Sequence, residues 1–181
     1  CIRDSNNSSK DYFYKISYQY ILEKRNNNIY PNKGHYLDFE IGKNFSPNIN
    51  HIEFNSHVEK HFSLNKSLFF GSSFKTRITN SSQQAYYSAQ TLGFDDYVRG
   101  YEFYVIDGED FYLSKTAIKY AIIKNKKYDL PYLNIKQFKK SHFSIYATIF
   151  SDFGYAKNNT EFINNSLTNT MLWGRGFSLD Y

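Results

Sequence analysis

The sequence predicts an all-β fold: an antiparallel transmembrane β-barrel, of which this chain carries about seven strands. Three observations lead there. Apolar and polar residues alternate with period two in one stretch after another. Those stretches run to about ten to thirteen residues, enough to cross a bilayer when tilted, where soluble strands average about five or six. Aromatic residues make up 20% of the chain, with 18 Tyr and 17 Phe but one Trp, and such residues favour pleated surfaces. The mean hydropathy of −0.62 would also suit a soluble antiparallel sandwich. A barrel shares it, because half of each strand faces water. No run of eighteen apolar residues occurs, so a membrane-crossing helix is excluded. The net charge of +5 is scattered rather than striped, and no nucleic-acid partner is expected.

The elements follow in order. In 12–22, Tyr12, Tyr14, Ile16, Tyr18, Tyr20 and Leu22 share a face opposite Lys15, Ser17, Gln19 and Glu23. In 36–45, Leu37, Phe39, Ile41 and Phe45 oppose Asp38, Glu40 and Asn44. In 51–62, Ile52, Phe54, Val58 and Phe62 oppose His51, Glu53, Asn55, His57, Glu59 and His61. In 66–78, Leu68, Phe70, Phe74 and Ile78 oppose Ser67, Ser73, Lys75 and Arg77. Stretch 111–123 sets Tyr112, Ile118, Tyr120 and Ile122 against Lys115 and Lys119. Stretch 142–154 places Phe143, Ile145, Ala147 and Ile149 together, and 170–181 sets Met171, Trp173, Phe177, Leu179 and Tyr181 against Gly174, Gly176, Ser178 and Asp180. The charged and histidine-bearing faces fit a wet lumen.

Residues 1–10 read as a polar lead-in and 11–181 as part of a barrel domain. Segment 25–33 is a turn closing at Gly34, and 46–50 and 63–65 are short connections. Segment 79–110 is long, and 124–141 and 155–169 are of medium length. If 63–65 is periplasmic, 79–110 and 155–169 become surface loops, and 124–141 a periplasmic turn longer than barrels usually keep. Seven is an odd count, and an open sheet edge is not tolerated in lipid, so the strands are expected to belong to a larger barrel. Cys1 is the only cysteine, which excludes an internal disulfide. A lipidated cysteine before a polar tether would look like residues 1–10. The preferred reading is a cut at that point, since strands begin almost at once.

One charge needs a reason. Val98-Arg99-Gly100-Tyr101 places an arginine between glycine and aromatics in the long loop. Asp152, in Phe150-Ser151-Asp152-Phe153-Gly154, is out of step with the lipid-facing residues of its strand and points inward. A loop 79–110 folded into the lumen would plant Arg99 on Asp152 as a charge-assisted, bidentate pair. Gly100 would allow close packing or a positive φ, and Tyr101 would wedge against the wall. Gly174 and Gly176, inward on the last strand, would make room.

These two motifs resemble those of a known family. Val98-Arg99-Gly100-Tyr101 resembles the VRG-aromatic motif of the lumen-inserted sixth surface loop in the BamA/TamA outer-membrane assembly superfamily, the bacterial surface antigen proteins. Phe150-Ser151-Asp152-Phe153-Gly154 resembles that family's F-x-D-x-G strand motif, whose aspartate receives the loop arginine. Leu92-Gly93-Phe94 is similar to the family's approach to the loop tip, and Arg25–Gly34 with Pro31 to a periplasmic turn with a P-x-x-G pattern. The resemblance covers roughly residues 11–181. It implies strands eight to fourteen of a sixteen-stranded barrel, with the first seven strands, the last two and any periplasmic POTRA domains outside this chain. The Tyr, Asn and Lys richness and segment Leu130–Lys139 resemble the Bacteroidetes branch. Two departures stand out. Tyr101 replaces the commoner Phe, and Arg175 falls on the lipid face, which implies a shifted register or a snorkelling side chain.

Other constellations have plainer readings. His57-x-Glu59-x-His61 could chelate a metal from one strand face, but a titrating lumen lining is preferred, and no metal or other cofactor is expected. Asp107, Glu109 and Asp110 read as solvated loop acids rather than a cation site. The sequon Asn158-Asn159-Thr160 reflects an Asn-rich composition. No hydrolase, zinc-protease or phosphate-loop motif occurs, so the expectation is a protein that is not an enzyme.

The resemblance implies an outer-membrane factor that inserts, folds or translocates client outer-membrane proteins, with membrane lipids and accessory lipoproteins as further partners. Its logic would be strand exchange at a weakly closed seam. The expected structural and gating set is Val98, Arg99, Gly100, Tyr101, Phe150, Asp152 and Gly154. The rivals are a passive porin or ligand-binding outer-membrane barrel, a surface lipoprotein binding module, and a barrel carrying a patatin-like hydrolase.

Overall fold

A computed structural model describes residues 14–46, 49–80, 90–93, 95–129, 140–159 and 165–181. Residues 1–13, Phe94, the segment 130–139 and Thr160 of the sequon lie outside the described residues. Within them the protein is all-β. Its strands are β1 (Tyr14–Glu23), β2 (Gly34–Ser46), β3 (Ile49–Ser63), β4 (Leu68–Thr79), β5 (Gln90–Leu92), β6 (Ile106–Asp107), β7 (Asp110–Asp129), β8 (Lys140–Lys157) and β9 (Met171–Asp180). Seven form one antiparallel sheet in the order β1-β2-β3-β4-β7-β8-β9, and β5 and β6 pair separately. The sheet does not close on itself: β1 and β9 are its edges.

The alternation sets the two faces. Ile16 and Tyr18 of β1, Ile41 of β2, Phe54 of β3, Phe74 of β4, Ile118 and Tyr120 of β7, Ile149 of β8 and Phe177 of β9 are all exposed on one face. Cross-strand register lines them up, as in Tyr18↔Ile41 and Ile41↔Phe54. The other face carries Lys15, Glu40, Glu53, Glu59, Lys75, Lys115, Asp152 and Asp180. It is laced by ion pairs such as Lys15–Glu40 at 2.8 Å and Arg25–Glu59 at 2.8 Å. The sheet curls around this polar face. Asn32, two residues before β2, hydrogen-bonds Tyr146 of β8 at 3.3 Å, although a flat sheet would hold those strands about 19 Å apart at roughly 4.8 Å per step. The apolar residues therefore lie on the convex side and the charges in a trough.

Most strand spans agree with the alternation, with three differences. β7 and β8 are longer than the period shows: 124–129 and 140–141 are strand, not connection. Register shifts between Ala121 and Ile123 and between Ile123 and Lys126 break the alternation while backbone pairing continues. This shortens the expected 124–141 connection to 130–139. Strand β8 also runs on to Lys157, taking the start of the 155–169 connection. Finally, the long segment 79–110 carries its own hairpin, with Gln90↔Asp107 and Leu92↔Ile106 paired. That pairing was hidden because both pieces are too short to show a period.

The turn at 24–33 closes as the sequence predicts. Gly34 has φ +107°, and a Cβ there would collide with the Lys24 carbonyl, so only glycine fits. At the other hairpin, the Asn65 carboxamide accepts the Ser67 and Leu68 amides at 2.8 Å each, an Asx turn that sets the tight reversal from β3 to β4.

The principal apolar cluster sits inside the trough. Leu92, Val98 and Ile106 of the loop pack on Phe111 and Leu113 of β7, Ala156 of β8 and Leu172 of β9, with Tyr101 and Leu167 against them. The inward face is thus wet over most of its length and dry where the loop docks.

Candidate functional site

The site is the loop tip and the sheet beneath it. Gly93, at φ +93°, starts the approach and donates its amide to the Asp96 carbonyl at 2.7 Å. The Asp96 carboxylate then takes Lys75 of β4 at 2.8 and 3.1 Å, tying the loop to the sheet. Tyr97 lies beneath Lys115, whose Nζ is 4.4 Å from the ring centroid. Val98 to Tyr101 form a β-turn, with the Tyr101 amide donating to the Val98 carbonyl at 2.9 Å. Gly100 holds the third position at φ +96°, the positive φ that a type II turn needs there. Nothing lies within 4 Å of a Cβ built on Gly100. Of the two reasons anticipated for this glycine, backbone conformation applies and close packing does not.

The turn aims Arg99 at the sheet. Its Nε donates to Asp152 Oδ2 at 2.7 Å and its Nη2 to Oδ1 at 2.6 Å, a bidentate fork. The Arg99 backbone amide adds a third bond to Oδ2 at 3.2 Å. Asp152 is 0% exposed, while the Arg99 side chain keeps 29% of its surface. The guanidinium lies over the Phe150 ring, 3.8 Å from its centroid, a cation–π contact that covers the pair from below.

Small residues on the inward faces make this approach possible. A Cβ on Gly174 would strike the Arg99 carbonyl, and one on Gly154 would strike the Val98 side chain. A Cβ on Gly176 would come within 2.9 Å of the Phe150 ring. Gly174 therefore admits the loop directly. Gly176 admits the ring on which the guanidinium rests, an indirect form of the room expected of it. Val98 is 1% exposed and serves as the apolar plug of the tip. Tyr101 packs against the loop's own cluster, with its ring 6.0 Å from that of Tyr104. At the tip the Glu102 carboxylate accepts the Gly100 amide at 2.9 Å, and backbone hydrogen bonds hold it below the usual carboxylate range.

The structure thus brings together Val98, Arg99, Gly100, Tyr101, Phe150, Asp152 and Gly154. Sequence reasoning missed the dry dock of Phe111, Leu113 and Leu172. Leu113 and Leu172 occur at inward positions where a wet lumen calls for polar residues, and that break in pattern was the available signal. Also missed was the polar seat of the 24–33 turn. There the Tyr30 hydroxyl donates to Asp180 Oδ2 at 2.7 Å, and Thr148 and Ser178 donate to the same carboxylate. Burial and Asp180 push the Tyr30 phenol upward.

Three other readings are settled by contacts. Glu109 and Asp110 are not solvated loop acids: they are 4% and 7% exposed. Asp110 accepts the Thr79 amide at 2.8 Å, and Glu109 accepts Asn159 Nδ2 at 2.7 Å. Their role is to pin the loop base. Glu59 is held by His57 at 2.9 Å, His61 at 3.1 Å and Arg25 at 2.8 Å, so three groups of the histidine-rich face converge on one carboxylate. Arg175 stands on the convex face without a register shift, since Gly174 and Gly176 beside it face inward. Its guanidinium lies 4.5 Å from the Trp173 ring centroid.

No protein-family model matches the chain, and no curated protein matches it. The functional reading therefore rests on the geometry.

Proposed function

We propose that this chain is the strut-bearing part of a sixteen-stranded outer-membrane β-barrel that inserts, folds or translocates client outer-membrane proteins without bond chemistry. The observation that carries the reading is the Arg99–Asp152 fork. The loop tip at 98–101 lies on the inward face of the sheet and is locked by a fully buried carboxylate. The exposed apolar convex face supports a lipid environment. Its edges β1 and β9 would be paired by further strands, since unpaired backbone is costly in lipid. In this reading membrane lipids surround the convex face. Client strands add at a seam outside this chain, and accessory lipoproteins act from the periplasm. Arg99 and Asp152 brace the loop so that the lumen keeps its shape while the seam opens.

The test is client insertion by the full-length protein in proteoliposomes. Arg99→Ala is expected to lower insertion about tenfold or more, as loss of a positioned loop does when the fork is removed. Normal insertion by an Arg99→Ala protein that is itself correctly inserted would overturn the reading. A second reading, a ligand-binding barrel, is favoured by two cavities on the concave face, of about 500 and 430 Å³. Ligand uptake indifferent to Arg99→Ala would favour it.

A further inference from the structure

The two cavities differ in sign. The larger is lined by Asp38, Glu40, Asp95 and Asp96 against Lys75 and Arg77. The smaller, between the loop tip and the 24–33 turn, is lined by Arg25, Arg99, Lys115 and Lys119 against Glu59 alone. The trough is electrically divided along its length.

In the smaller cavity the arginines are committed. Arg25 is shared by Glu23 and Glu59, and Arg99 is taken by Asp152. The two lysines are not. Among the described residues neither Lys115 nor Lys119 forms an ion pair, whereas Lys15 and Lys75 on the same face do. Lys115 Nζ has the Tyr97 ring at 4.4 Å. Lys119 Nζ has the Tyr30 ring at 3.7 Å and the Pro31 carbonyl at 3.4 Å. Asp152, opposite Lys115 on the neighbouring strand, is taken by Arg99, and Asp180 already accepts from Tyr30, Thr148 and Ser178. Lys115 and Lys119 sit four residues apart on β7, both inward. Between them the facing strand offers Gly71, opposite Ala117, and the His61 ring occupies the space a side chain at 71 would take. Ser73, opposite Lys115, adds a hydroxyl to the rim.

We propose that this chamber binds a small phosphate-class oxyanion from solution, held between the ammonium groups of Lys115 and Lys119. Two half-buried ammonium groups outside any ion pair, in a volume of about 430 Å³, favour an anion over water alone, and compact oxyanions accept from several donors at once. The inference uses only the concave face and does not depend on the assembly role. It would stand if client insertion failed.

The experiment is a titration of inorganic phosphate against the full-length protein in detergent micelles. Thermal stability is followed at ionic strength held constant with chloride. The wild type should show a saturable rise in melting temperature. Lys115→Gln/Lys119→Gln should shift the titration midpoint upward at least about tenfold. Arg77→Gln, in the acidic cavity, should leave the midpoint in place. Lys119→Arg should retain the response and Lys119→Gln should weaken it, which keeps the test decisive where the double variant does not insert. A wild type that responds to phosphate no more than to chloride, or a double variant with the wild-type midpoint, would overturn the proposal.

Discussion

Two segments fill the trough from opposite ends, and they are held by different physics. The loop tip at 98–101 is fixed by a bidentate ion pair on a fully buried carboxylate, an apolar plug and three glycines that admit it. Beyond Arg25 and its ion pairs, the 24–33 turn is fixed by single hydrogen bonds from the Tyr30 hydroxyl to the Asp180 carboxylate at 2.7 Å and from Asn32 to Tyr146 at 3.3 Å, and by the Lys119 ammonium on the Tyr30 ring. Hydrogen bonds of the second kind exchange readily for water and contribute modestly. The first kind is conditional: removing one partner strands the other in a place without water. The loop tip is therefore a lock that fails abruptly, and the turn a seat that loosens by degrees.

The sharpest way to break this contrast is to remove each half of the lock in turn. Arg99→Ala leaves the Asp152 carboxyl at zero exposure without its partner, and a cost of about 3–5 kcal/mol is expected. Asp152→Ala strands a guanidinium that keeps 29% of its side-chain surface and can turn toward water. It should cost about 2 kcal/mol less than its counterpart. Urea unfolding of the full-length protein in detergent measures both. Equal costs would show that the pair acts as a surface ion pair and that the lock does not exist.

Next in size is the space beneath the loop. Gly174→Ala places a methyl group against the Arg99 carbonyl, a backbone atom that cannot swing aside. Overpacking of this kind costs about 1–3 kcal/mol. The displaced tip should also show as faster proteolysis of the loop. Unchanged cleavage and stability would mean that the tip has slack. For the turn, Tyr30→Phe deletes one hydroxyl donor to Asp180, which keeps Thr148 and Ser178. The expected loss is about 1.5 kcal/mol, the low end for a hydrogen bond to a charged group, because the carboxylate keeps its other donors. A loss as large as that of Arg99→Ala would erase the distinction between lock and seat.

The same distinction explains what was legible in the sequence. The fork was readable because a lone arginine in a loop and an inward aspartate are each conspicuous against their surroundings, and charge pairs have few alternatives. Period two gave most strand spans, because an apolar exposed face on one side and a charged concave face on the other force alternation. What failed was whatever broke that alternation for a local reason: the register shifts at Ala121–Lys126, the hairpin of β5 and β6, and the dry dock of Leu113 and Leu172. The burial of Glu109 and Asp110 was invisible for a related reason. Their partners Asn159 and Thr79 are 50 and 31 residues away, and no local pattern encodes them. The seat of the turn depends on Asp180, which lies 150 residues from Tyr30.

The smallest effect concerns the tip itself. Glu102 is solvent-exposed, and its carboxylate accepts the Gly100 amide at 2.9 Å. Backbone hydrogen bonds hold it below its usual range. A depressed carboxylate stabilises the folded tip above its unfolded value of about 4.3. That contribution is lost as pH falls through the lower folded value. Amide exchange at Gly100 should therefore stay slow through neutral and mildly acidic solution. Once corrected for the intrinsic pH dependence of exchange, it should quicken below about pH 4. Glu102→Gln should remove the pH step while leaving the Arg99–Asp152 fork intact, since the two carboxylates share no donor. A step that persists in Glu102→Gln would show that the Glu102 carboxylate does not hold the Gly100 amide in solution.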